Sequence, residues 1–150
     1  MTAWSSLRVQ VHAGDGLVAR YPAALLVVPA GSDRSAPALP ALLDLCRTAG
    51  ESGGGRRLAR RVAGVIAAAE PEEVPGFALL APVDEGATAI LVAGDVEVEV
   101  TTPAGRERLS GAASASWVDR VVSGASEFVV TRPGVPAPAP DEHADLGAGV

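Results

Sequence analysis

Apolar and polar residues change rhythm several times along the chain, and each rhythm predicts an element. Leu7, Val9 and Val11 alternate with Arg8, Gln10 and His12, the period of two that a half-buried strand requires. Gly14-Asp15-Gly16 then supplies a turn to a partner strand over residues 17–20. After Tyr21-Pro22, the unbroken apolar run 23–28 predicts a strand covered on both faces and ended by Pro29. Beyond the loop residues 31–35, Leu39, Leu42, Leu43 and Cys46 recur at i, i+3, i+4 and i+7, which predicts a first helix over 37–49.

A glycine-rich break at 50–55 separates this helix from a second, because glycine has little helix propensity. At 100° per residue, Leu58, Val62, Val65 and Ile66 occupy one narrow arc, and Arg56, Arg57, Arg60 and Arg61 lie opposite. Pro71 and Pro75 bracket a polar connection through Glu72 and Glu73, after which 77–81 and 87–93 read as a hairpin around Asp84-Glu85-Gly86. Following the turn Gly94-Asp95, Val96, Val98 and Val100 alternate with Glu97 and Glu99, so one face of that strand is dry and the other wet. Pro103-Ala104-Gly105 turns into a strand over 106–109. Trp117, Val118 and Val121 fall at helical spacing within 112–122, and 127–131 is a last strand.

The order is therefore three strands, two helices, then about five strands with a short helical interruption. That order predicts an α+β domain over 1–132, with two central helices packed on largely antiparallel sheet. Strict β-α-β alternation is missing and the late connections are too short for parallel crossovers, so a Rossmann arrangement is excluded. From residue 133 on, Pro133, Pro136, Pro138 and Pro140 alternate with alanine and lead to Asp141, Glu142 and Asp145. This composition has no material for a core and predicts an extended tail or linker.

Composition narrows the function classes. The 150 residues suffice for one core, and with 48% hydrophobic but only 3% aromatic residues that core must consist of Ala, Val and Leu. Trp4 and Trp117 are the large anchors, each either tucked into the core or displayed to a partner. No apolar run approaches the ~20 residues of a membrane helix. Met1-Thr2-Ala3-Trp4-Ser5-Ser6 has no signal-peptide character, so the expected location is the cytoplasm. One cysteine and two histidines exclude an internal disulfide and a structural zinc site. A net charge of −6 argues against nucleic-acid and anionic-membrane partners. All 12 basic residues are arginine, and lysine and asparagine are absent, a bias expected of a GC-rich bacterial genome rather than of a particular chemistry.

The residues that could carry chemistry are few. Arg56, Arg57, Arg60 and Arg61 open a helix directly after a glycine-rich loop, where guanidinium forks could hold an anion or dock a protein partner. The competing explanation is a solvated charged face. The loop lacks the Gly-Lys-Ser/Thr ending of a phosphate-binding loop, which leaves nucleotide hydrolysis without support. His12 and His143 have no evident nucleophile beside them, and Cys46 sits on an apolar helix face where a thiol behaves as a small hydrophobe. Asp15, Asp33, Asp84 and Asp95 all stand beside turn residues, where carboxylates commonly satisfy local N–H groups. A metal site built from Asp15, Asp33 and Asp95 is the alternative.

The layout over residues 15–132 resembles the metal-dependent PPM-type serine/threonine phosphatases. Ala24-Leu25-Leu26-Val27-Val28-Pro29-Ala30-Gly31 is similar to that family's apolar strand ending in Ala-Asp-Gly, and Ile90-Leu91-Val92-Ala93-Gly94-Asp95 to its strand and Gly-Asp turn. Arg106-Glu107-Arg108-Leu109-Ser110 resembles the segment before the family's Asp-His. Glu127-Phe128-Val129-Val130-Thr131 resembles the strand leading into its second Asp-Gly. The resemblance implies a PPM-like layered fold, in which Asp carboxylates hold two divalent metals that activate a water. Here Ala30 stands at the first acid, Tyr21-Pro22-Ala23 has no carboxylate, and Thr131-Arg132 replaces the later Asp-Gly. Only Gly94-Asp95 keeps its acid, so the resemblance implies a trimmed relative without metal or other cofactor, a pseudophosphatase. The Pro/Ala/acidic tail also resembles the linkers that join leading domains to forkhead-associated domains in bacterial signalling proteins.

The expected function is a non-catalytic signalling or scaffold domain acting through protein contacts, with the second helix as docking surface. Two alternatives stand beside it. One is a metal-dependent phosphoesterase using Asp15, Asp33 and Asp95. The other is an assembly module in which the strand over 96–101 pairs with another chain, with Glu97 and Glu99 restraining unwanted pairing.

Overall fold

The computed structural model describes residues 4, 9, 16–29, 31, 35–49, 54–84 and 86–134. Along the chain run β1 (Leu17–Tyr21), β2 (Ala24–Val28), α1 (Leu39–Thr48), α2 (Gly55–Ala68), β3 (Phe77–Pro82) and β4 (Ala87–Ala93). They are followed by β5 (Glu97–Thr102), β6 (Gly105–Ser110), β7 (Trp117–Ser123) and β8 (Glu127–Thr131). Two sheets result, a five-stranded one in the order β1-β2-β3-β4-β7 and a three-stranded one in the order β6-β5-β8. Every pairing in them is antiparallel. The class is α+β, as the order of elements predicts.

The side chains sort into two cores. Helices α1 and α2 cover one face of the larger sheet, burying Leu42, Cys46, Leu58, Val62 and Ile66 against Leu26, Val28, Phe77, Leu79 and Leu91. The opposite face of the same sheet presents Ala78, Leu80, Ile90 and Val92 to Val98, Val100 and Leu109 of the smaller sheet. The result is three layers, helix on sheet on sheet. Strands β3 and β4 form the middle of the sandwich and are therefore dry on both sides. β2, for which the apolar run predicts two buried faces, is dry on its helix side only, while Leu25 and Val27 are half-buried. The smaller sheet has three strands against five, which is why cover on that side is incomplete.

Both helices lie where the periodicity predicts. Pro40 occupies the first turn of α1, where a missing N–H is harmless. The start of α2 sits hard against the end of β3, and a Cβ placed on Gly55 would stand 2.3 Å from the Pro82 carbonyl oxygen. Only glycine permits that approach.

Two expectations are corrected. Residues 117–123 form not a helix but β7, which pairs with β4 from Ala87↔Ser123 to Ala93↔Trp117. The spacing of Trp117, Val118 and Val121 fits a helix. Asp119 and Arg120 fall on opposite faces of a strand, so no period of two is present, and the unsatisfied edge of β4 decides for the strand. Helical structure in that stretch is confined to one 3-10 turn, Gly111–Ala113. The second correction concerns β5, which lies between β6 and β8 with both edges bonded, so it has none to offer another chain. The described partner of β1 is β2, from Leu17↔Val28 to Tyr21↔Ala24. The strand expected over 7–11 lies outside the described residues apart from Val9.

Candidate functional site

Helix α2 turns Leu58, Ala59, Val62 and Ile66 into the core, and the geometry of the helix then forces Arg56, Arg57, Arg60 and Arg61 to its outer side, where all four are exposed. Their spacing makes a two-by-two array, with 56 above 60 and 57 above 61 at one helical turn. None of the four has an ion-pair or hydrogen-bond partner among the described residues. The first turn of α2 contains no acidic residue. Arg56 and Arg57 thus face the positive end of the helix dipole, an arrangement that costs a few tenths of a kcal/mol per charge.

The remaining described arginines behave differently. Arg47 pairs with Asp44, Arg106 with Glu99, and Arg108 with both Glu97 and Glu99 at 3.4 and 3.5 Å. Arg120 on β7 forks onto Glu107 of β6 at 2.7 and 3.2 Å, joining edge strands of the two sheets. That fork holds the Glu107 carboxyl below its ordinary range and raises the Arg120 guanidinium, mainly through the hydrogen bonds. Arg132 reaches the Asp95 carboxylate at 3.3 Å.

The Asp95 contact bears on the metal alternative. The turn after β4, the end of β8 and the end of β2 meet at one corner, where a Cβ on Gly31 would stand 2.6 Å from a terminal nitrogen of Arg132. Gly31, Asp95 and Arg132 are thus neighbours in space. Among the described residues their donor set is one carboxylate with a guanidinium beside it, whereas a divalent cation wants several oxygens. Among the described residues no three of His, Cys, Asp and Glu gather to hold a metal. Asp15 and Asp33 lie outside the described residues, as do His12 and His143.

Cys46 is buried on α1, and burial alone pushes its thiol up to about 12. It is a core side chain rather than a nucleophile. Trp4 and Trp117 are both half-buried, the first against the sheet-sheet core and the second against the helix-sheet core. Sequence reasoning finds the arginine array, because the helical period displays it. It misses the pairs Arg120 with Glu107 and Arg132 with Asp95, which depend on strand register and leave no local signal.

No protein-family model matches the chain, and neither a curated protein nor a solved structure matches it. Among the described residues no helix is long and apolar enough to cross a membrane.

Proposed function

We propose that this chain is a non-catalytic protein-binding domain that docks an acidic partner on the outer face of α2. One observation carries the reading: in a protein of net charge −6, the arginines without a partner among the described residues are four neighbours on one helix face. A guanidinium array without a carboxylate partner among the described residues is open to bidentate bonds with carboxylates from outside. The remaining described arginines are engaged within the fold. The pairing of Asp95 with Arg132 supports a scaffold in place of a hydrolase, since that carboxylate already has a cation.

A poly-glutamate peptide serves as probe. The protein is expected to bind it in a salt-sensitive manner, and replacing Arg56, Arg57, Arg60 and Arg61 together by Gln is expected to abolish binding without lowering the thermal midpoint. Equal binding by the fourfold variant would overturn the reading. Mn²⁺-dependent hydrolysis of an aryl phosphate that is lost in Asp95→Ala would replace it by the phosphoesterase.

A further inference from the structure

The arginine array has a complement within the chain itself. Asp141, Glu142 and Asp145 recur at relative positions 0, 1 and 4, the spacing of Arg56, Arg57 and Arg60 on α2. We propose that this acidic segment docks on the exposed face of α2 and acts as an internal competitor for the acidic partner, an inference that rests on the function proposed above.

Charge and spacing support the contact. The segment brings three carboxylates within five residues to a face whose four guanidinium groups have no carboxylate partner among the described residues. Should it take up helical turns on docking, its carboxylates would form an array of the same pitch as the arginines. Eleven residues lead from Gly134, the last described residue, to Asp145, so the contact is intramolecular. Because the pairs are exposed, the contact is weak and yields to salt or to an external polyanion.

The test uses the full chain. A nitroxide is attached at an Ala144→Cys substitution, where the buried native Cys46 does not compete for the label. At low ionic strength the label is expected to broaden the amide signals of residues 56–64 on α2, and either salt or the fourfold Arg→Gln variant is expected to restore them. Unbroadened α2 signals, or broadening that persists in the fourfold variant, would overturn the proposal. A second measurement separates it from the reading it rests on: Asp141→Asn, Glu142→Gln and Asp145→Asn together are expected to tighten poly-glutamate binding by roughly tenfold. If the probe binds both proteins equally, the internal competitor falls and the docking function stands. Broadening at α2 without probe binding by either protein would retain the contact and remove the docking function.

Discussion

The two outer faces of the sandwich carry the same kind of residue in opposite circumstances. On the smaller sheet, Arg106 and Arg108 of β6 stand beside Glu97 and Glu99 of β5, and the strands hold these charges in a ladder across the surface. On α2, four arginines share a face with no carboxylate among the described residues to meet them. Antiparallel register brings acids and bases from separate strands into contact. A lone helix face has only its own sequence to draw on, and on α2 that supplies cations alone. One face satisfies itself; the other has no carboxylate partner among the described residues.

The largest expected effect removes the support of the arginine face. Leu42→Ala empties a fully buried position beneath the helices and is expected to cost about 2–5 kcal/mol in denaturant unfolding. Ile66→Ala acts in the same core and is expected to fall within this range, nearer its lower end because Ile66 retains slight exposure. A parent-like midpoint in both would mean that the helix layer is not held as described.

The helix-sheet core and the ion pair between the sheet edges are also expected to weaken at opposite ends of the pH scale. The Cys46 thiol is raised in the folded protein, so its contribution is complete below the unfolded value near 9 and is lost as pH rises toward about 12. The slope is about 1.4 kcal/mol per pH unit over that window, and Cys46→Ala is expected to remove it. Glu107 is lowered by Arg120, so its contribution is present above the ordinary glutamate range and is lost as pH falls. Thermal midpoints of Arg120→Gln are expected to fall less steeply with acid than those of the parent.

Smaller effects sharpen the contrast further. Gly55→Ala forces the start of α2 away from the Pro82 carbonyl and is expected to cost about 1–3 kcal/mol. Gly64 lies exposed on the same helix with no atom within 4 Å of an added Cβ, so Gly64→Ala is expected to stabilise by about 0.5–1 kcal/mol. Smallest is the comparison of single arginines: Arg108→Gln is expected to lose up to about 1 kcal/mol, whereas Arg57→Gln is expected to gain a few tenths by relieving the helix dipole. Equal losses from both would mean that the arginines of α2 have partners after all.

The legible part of the fold is the part with an unambiguous period. Val98 and Val100 against Glu97 and Glu99 admit only a strand with one wet face, and Leu58, Val62 and Ile66 admit only a helix. Residues 117–123 carry a helical spacing and no period of two, so their strand state depends on β4, whose open edge they fill. The apolar runs of β2 and β3 look alike in the sequence, yet only β3 is covered on both sides, because the smaller sheet does not extend fully over β2. The arginine array was visible for the same reason as the helix that bears it.

What the sequence by itself determined about this protein is the α+β class, the two amphipathic helices, the small-residue core and the placement of four arginines on one helix face. Each follows from neighbours within one or two turns, or from alternation along one strand. Only the tertiary structure decided which strands lie in the middle, that β5 has no free edge, and which arginines are neutralised. Those outcomes depend on register between segments far apart in the chain, where Arg120 meets Glu107 across two sheets and Arg132 meets Asp95 across a corner. Hydrophobic period is a local property of the chain, whereas charge pairing is a property of the packed molecule.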